Sequence, residues 1–394
     1  MPIIRSLRCR RVLNSHVLFT NEFVIELEGG AIGRGAPPQG ETVSIYEDRA
    51  APPDGRDLAR ELARAGAVGR AFEPAEFDAF LEARLALLGR NNAYGLSLAF
   101  FNACRALRSA AELLGEPPRA PRAPRLCLNI LNGGFHAYTN PVLSDFPEYL
   151  LTPRRAGLRE TLDAHAQIQA AVRERLRRCE RTEAGENAVH RFATRDNREC
   201  LDLLAGVLDR LGLAREFELM IDASAGDLRD ERGCYRFALT DGSAREGAAL
   251  EEYWRGLIRD YGLGFLEDPF GETDTACWRR LTAAAGACRI VGDNLYATDA
   301  ARIAAGAAEG LTHGVIVKPN QAGTVTATRR ASAAARAGGQ TLMASHRSIS
   351  TEDTFLSLLT CVCGLPYFKI GPLLTDYSAV LRLNELLRLT EEAE

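Results

Sequence analysis

Six polar residues stand at the ends of short apolar runs. They are Asp222 in "FELMIDA", Glu267 in "GLGFLEDP", Asp293 in "RIVGDN", Lys318 in "GVIVKP", His346 in "TLMASH" and Lys369 in "YFKIG". The three carboxylates come from successive runs and would repel one another if brought together alone. They therefore predict an all-oxygen site for a hard cation such as Mg²⁺. Taken singly, each fits equally well as a helix N-cap or a salt-bridge partner at a strand end. The chain holds 48 lysines and arginines, and only Lys318 and Lys369 are lysine. Arginine keeps its proton, whereas lysine gives it up when neighbouring cations or burial favour the neutral form. An arginine-rich composition leaves a few lysines anywhere, yet both of these sit at the ends of apolar runs. They are expected to act as a base or an electrostatic group. A cation and a lysine beside carboxylates suit removal of a proton alpha to a substrate carboxylate, with the cation stabilising the enolate. The stretch "SHRS", Ser345–Ser348, adds a guanidinium and a hydroxyl that could grip a phosphate or phosphonate. Arg347 fits equally as a structural ion-pair partner.

These residues need elements to bring them together. The runs, with "LCLNILN" before them, alternate with helical patterns such as "DAARIAAGAAEG" and "AGTVTATRRASAAARAGG". That alternation predicts a parallel sheet covered by helices. The six polar residues are spaced 45, 26, 25, 28 and 23 apart, so four gaps fit one strand–helix unit each. The long gap holds the turn-rich "RDERGCYRFALTDGSAREG". Closed into a barrel, the units would deliver all six residues to the C-terminal rim, whereas an open sheet would align fewer. Upstream, "NEFVIELEGG" alternates like an antiparallel strand, "GRGAPPQGE" is a Gly/Pro loop, and "AYGLSLAFFNACRALRSAAELLG" reads as helical. A proline-rich connector, Gly115–Arg125, follows. The expected organisation is an α+β domain over residues 1–124 and an α/β barrel over 125–394.

The net charge of −4 argues against a nucleic-acid binder driven by phosphate attraction, and no basic stripe interleaves with aromatics. "RERLRRCER", Arg173–Arg181, reads as a solvated helix face. The most apolar window, "FLSLLTCVCGLPYF", falls short of the roughly 20 residues a membrane span needs. The N-terminal "MPIIRSLRCRR" has no apolar core followed by a cleavage site. The ten cysteines lack paired CxxC spacing, which predicts reduced, mostly buried thiols in a cytoplasmic protein.

In order along the chain, "LNILNGGFHAYTN", "PEYLLTP", "FLEDPF", "VGDNL", "VKPNQAGT", "ASHRSISTEDTF", "FKIG" and "LRLNELLRL" resemble successive motifs of the enolase family, the phosphopyruvate hydratases. The resemblance runs over nearly the whole chain. It implies a modified (β/α)8 TIM barrel, an N-terminal α+β capping domain and a homodimer. It implies Mg²⁺ held by Asp222, Glu267 and Asp293. Lys318 would take the C2 proton of 2-phosphoglycerate, and Lys369 would neutralise the substrate carboxylate and the developing charge. Arg347 and Ser348 would bind the phosphate. His346, His136 and Glu148 would line the leaving-group side, and Ser345 would belong with the substrate contacts. The implied partner is a small carboxylic acid bearing a phosphate or phosphonate.

Departures from the family pattern are equally specific. The family's Gly-Asp-Glu-Gly-Gly motif carries a glutamate that helps hydroxide leave as water. Here the stretch is "ENAVHRFA", Glu186–Ala193, with Val189 where that glutamate belongs. A shifted loop would let Glu186 or His190 take over, although His190 fits equally as a solvated loop residue. The family's lid reads Ser-Gly-Ala-Ser-Thr-Gly, and here "RGAPPQG" puts Pro37 where a serine holds a second Mg²⁺. Proline offers neither hydroxyl nor N–H and stiffens the loop. Asn294 and Pro147 replace an aspartate and a glutamine beside the site. Three readings stay open: a lyase acting on 2-phosphoglycerate, a relative acting on a phosphonate analogue as a carboxyphosphonoenolpyruvate synthase does, and a non-catalytic scaffold.

Overall fold

The computed structural model describes residues 1–40, 43–48, 53–117, 120–185 and 187–391. Strands β1 (Ile4–Leu13), β2 (Phe19–Leu27) and β3 (Ile32–Gly35) form an antiparallel sheet. The helix Leu85–Cys104 lies directly on it. A Cβ at Gly33 would stand 2.0 Å from the Ala99 carbonyl oxygen, and one at Gly35 would stand 2.1 Å from that of Gly95. Both glycines are therefore set by backbone approach. The long helical pattern expected here breaks after Cys104. Ser109 then caps a separate short helix, Ala110–Leu113, accepting the Glu112 N–H. Pro118 and Arg119 of the connector lie outside the described residues.

The chain then enters a closed barrel. Its strands are β4 (Arg125–Asn132), β5 (Glu148–Pro153), β8 (Phe217–Asp222), β11 (Phe265–Glu267), β12 (Arg289–Gly292), β13 (Gly314–Val317), β14 (Thr341–Ser345) and β15 (Tyr367–Ile370). Two hairpins interrupt the series: β6 (Glu180–Ala184) with β7 (Asn187–Arg191), and β9 (Tyr235–Arg236) with β10 (Ala244–Arg245). The second hairpin occupies the long gap between Asp222 and Glu267. Every neighbouring pair in the barrel is parallel except those made by β5, which runs antiparallel to both β4 and β8. This is the modified α/β barrel that the resemblance implies.

Two sequence expectations need correction. "PEYLLTP" contains the eighth barrel strand and was absent from the series of apolar runs. Because β5 is reversed, its polar rim residue, Glu148, comes first in the strand instead of last. "RERLRRCER" is not one helix face: the helix Leu158–Leu176 ends within it, and Glu180 and Arg181 already pair with β7. All ten cysteines are free thiols, seven of them buried. Among the described residues no helix is long and apolar enough to cross a membrane.

The N-terminal domain is fastened to the barrel at the start of the helix Val325–Ala337. Asp78 Oδ2 accepts the Thr326 N–H at 2.8 Å, and Ser97 Oγ accepts the Val325 N–H at 2.9 Å. Two amides that the helix leaves unpaired thus find acceptors in the other domain.

Candidate active site

The barrel interior explains how the site is assembled. One residue from each strand forms an apolar layer: Cys127, Leu150, Met220, Phe265, Val291, Ile316, Met343 and Tyr367. Side chains on a strand return to the same face every second residue. Two positions further toward the C-terminal rim, each strand supplies a polar residue: Asn129, Glu148, Asp222, Glu267, Asp293, Lys318, Ser345 and Lys369. The strand ends therefore meet as a polar ring resting on an apolar floor. Above it is a cavity of about 150 Å³ lined by His136, Glu148, Asp222, Asp293, Lys318, Ser345, His346, Arg347, Ser348 and Lys369. Ten of the eleven residues expected at a site thus share one cavity. The eleventh, Glu267, is fully buried and touches Lys369.

The two lysines are divided among the carboxylates. Lys369 Nζ meets Glu148 Oε2 at 2.9 Å, Glu267 Oε2 at 2.7 Å and Asp222 Oδ2 at 2.5 Å. Burial alone would lower its pKa, but Asp222, Glu148 and Glu267 outweigh burial and hold it well above the usual lysine value. In this arrangement Lys369 is a fixed cation. Lys318 Nζ pairs with Asp293 Oδ2. Burial, followed by the charge of Asp222, pushes the Glu267 carboxyl well above the usual carboxylate range. At Asp222 burial acts upward too, yet Lys369 outweighs it and the carboxyl is held below that range. His346 is pushed well below the ordinary histidine value, first by burial and then by Arg382 and Lys369.

Among the described residues no trio of acidic, His or Cys side chains stands at ready metal-ligand spacing. The donor chemistry nevertheless fits a hard divalent cation. Glu148, Asp222, Glu267 and Asp293 present four carboxylates against the two ammonium groups. Glu267 Oε1 is buried and finds no hydrogen-bond partner among the described residues. A buried carboxylate oxygen left in that state is costly. An all-oxygen set of carboxylates matches such an ion in ligand type.

Arg347 stands at the cavity and in an ion pair at once. It lines the cavity, and its Nη1 donates to Glu47 Oε2 at 2.8 Å. Gly40 lies against it so closely that a Cβ there would stand 1.7 Å from Nη2. Gln39 and Ile349 exchange backbone hydrogen bonds of 2.7 and 3.0 Å, which fixes this approach. Pro37 is buried and lies outside the cavity lining.

Val189 is 1 % exposed and packs with Ala137 and Leu143 in an apolar cluster. His190 is half-buried and ties β7 to the loop between β4 and β5. Its N–H donates to Pro141, and its carbonyl accepts from Leu143, both at 2.8 Å. The solvated-loop reading of His190 is therefore corrected, and its side chain is not among those lining the cavity. Glu186 lies outside the described residues.

Several supporting residues escaped the sequence reading. Asp268 is buried, and its two carboxylate oxygens accept the Asp293 and Asn294 N–H groups at 3.0 and 2.7 Å. Burial, then the Asp293 charge, raises its pKa well above the usual value. Gln321 Nε2 reaches Glu47 Oε1 at 3.1 Å and Asp293 Oδ1 at 3.4 Å. Only the adjacency of Asp268 to Glu267 in "FLEDPF" could have pointed to it, because its role is to hold backbone.

Residues 122–394 match the family described as enolase, C-terminal TIM barrel domain. Over its whole length the chain is 32 % identical to a protein named enolase from Acidothermus cellulolyticus, covering 95 % of that relative. It is 30 % identical to proteins of the same name from the Twist and TW08/27 strains of Tropheryma whipplei, covering all of this chain and 96 % of each relative. With its barrel matched and its full length aligned, the chain belongs to the enolase family, as a divergent member.

Proposed function

We propose that the chain is an enolase-type hydro-lyase that forms an enolate and eliminates water from 2-phosphoglycerate or a close phosphate or phosphonate analogue. What supports this reading is the single cavity that gathers Lys318, Lys369 and the carboxylates with Arg347 and Ser348. Arg347 and Ser348 grip the substrate's phosphoryl or phosphonyl oxygens. Lys318 takes the proton alpha to the carboxylate. Lys369, held as an ammonium among three carboxylates, places fixed positive charge where negative charge develops. Asp222, Glu267 and Asp293 would hold Mg²⁺, whose bound charge favours the enolate. The buried ring excludes bulk water from these charges and so strengthens their effect. A homodimer in the cytoplasm belongs to the same proposal. Sedimentation at micromolar concentration checks the dimer.

Val189 favours a second reading, in which proton abstraction survives while the leaving group or substrate differs, as in carboxyphosphonoenolpyruvate synthases. Incubation with Mg²⁺ and 2-phosphoglycerate in D₂O separates the two. Deuterium at C2 together with phosphoenolpyruvate supports the first reading, and deuterium without product supports the second. Neither product nor deuterium sinks the 2-phosphoglycerate assignment. Lys318→Ala is expected to cut exchange by about a hundredfold or more. Exchange at the wild-type rate would remove Lys318 from the role of base.

A further inference from the structure

Elimination needs a proton for the departing hydroxide, and the family's donor position holds Val189 inside an apolar cluster. Several other charged groups of the cavity are already engaged. Lys369 is shared among three carboxylates, and Glu148 receives it at 2.9 Å. Lys318 is assigned to the C2 proton. His136 is enclosed, with its Nδ1 4.0 Å from Glu148 Oε1 and 13 % of its side chain exposed.

Besides His136 and His346, a third imidazole lines the cavity, and it comes from the other domain. His16 sits at the tip of the β1–β2 hairpin yet shares the cavity with Lys318, Ser348 and Lys369. Its position is built. Asn14 Oδ1 accepts the His16 and Leu18 N–H groups, both at 3.0 Å. The tip is then fastened to the barrel: the Ser15 N–H donates to the Ser350 carbonyl at 2.8 Å, and the Ser350 N–H donates to Ser15 Oγ at 3.0 Å. Ser350 follows Arg347 and Ser348 in the same loop. On the opposite side the His16 ring meets the Tyr138 ring edge-on, with centroids 5.8 Å apart. Tyr138 follows His136 in the loop on the leaving-group side. His16 thus bridges the anion loop and the leaving-group loop at the mouth of the site. It is exposed, so bulk water can return a proton to it after each turnover.

We propose that His16 is the proton donor of this chain, an inference that rests on the elimination reading above. Lys318 takes the C2 proton, and the electron pair left at C2 is held in the enolate; collapse of the enolate then forms the C2–C3 double bond. The C3–O bond breaks, and the His16 imidazolium transfers its proton to the departing hydroxide, which leaves as water. Solvent then reprotonates His16 and accepts the proton held by Lys318, so the net change is loss of one water.

The test uses the full chain with Mg²⁺ and 2-phosphoglycerate in D₂O, reading C2 exchange and phosphoenolpyruvate separately. Wild type is expected to do both. His16→Asn is expected to keep exchange within about twofold while losing product formation by about a hundredfold. Retained exchange also shows that the variant is folded. Added imidazole is expected to restore part of the elimination by His16→Ala. Three outcomes overturn the inference while leaving proton abstraction standing: elimination by His16→Asn at the wild-type rate, wild-type exchange without elimination, or the exchange-only phenotype appearing in His136→Asn instead. Wild type doing neither reaction overturns the parent reading as well.

Discussion

Asp268 shows how much of this site depends on a residue that contacts no expected substrate atom. Its carboxylate accepts two consecutive backbone N–H groups, those of Asp293 and Asn294, and so fixes the strand end from which Asp293 projects. Asparagine in its place could accept one of them but would turn an N–H₂ donor toward the other. A buried donor left unpaired costs about 1–3 kcal/mol, and a misplaced Asp293 weakens whatever it holds. Asp268→Asn is expected to lower kcat/KM by about tenfold to a hundredfold and to weaken Mg²⁺ binding. Calorimetric titration of the variant with Mg²⁺ at unchanged affinity would contradict this role. Five of the ring residues, Asp222, Glu267, Asp293, Lys318 and Lys369, were legible in the sequence because their chemistry is written in their type: an acid or a lysine ending an apolar run is conspicuous. Asp268 was not, since a carboxylate that holds backbone looks like any other loop aspartate. Glu47 and His16 were hidden for another reason. Their partners, Arg347 and the Ser350 loop, lie 300 or more residues away in sequence, and no local pattern reports such contacts.

At the scale of elements, the strands that run continuously apolar and parallel could be read directly, whereas β5 could not. Its reversal moves the functional residue to the start of the run, so a search for polar residues at strand ends passes over Glu148. The contact between the domains was equally invisible, because helix amides capped by a distant carboxylate leave no local signature. That contact carries a pH dependence. Burial pushes the Asp78 carboxyl up from 3.8 to about 6. A folded-state value raised above the unfolded one means a stabilising contribution fully present below pH 3.8 and lost as pH rises through 6. The two-unit shift corresponds to about 3 kcal/mol. Asp78→Asn retains an acceptor for the Thr326 N–H but cannot ionise. The variant is therefore expected to gain up to about 3 kcal/mol on wild type between pH 4 and pH 7. Urea unfolding of both proteins at the two pH values measures this, and a constant difference between them would refute it.

For the whole molecule, the site is a concentration of like charge that the fold must tolerate. Four carboxylates face two ammonium groups within one ring, and Glu267 is fully buried with one oxygen unpaired among the described residues. Burial and the neighbouring Asp222 already work against the charge on Glu267. Neutralising it relieves both, since a buried ionised group is destabilising unless it is well paired. Glu267→Gln is therefore expected to unfold at a higher temperature than wild type when Mg²⁺ is chelated. The same charge is what a divalent ion would use. Binding to the folded state alone stabilises by about 2.7 kcal/mol at a hundred times the dissociation constant. Wild type should accordingly gain stability as Mg²⁺ is added, and Glu267→Gln should gain little. Thermal unfolding of the two proteins with Mg²⁺ and with EDTA gives the four values needed. A Mg²⁺-induced rise that is equal in both would remove Glu267 from the cation site. A variant less stable than wild type in EDTA would show that the Lys369 contact outweighs the repulsion around it.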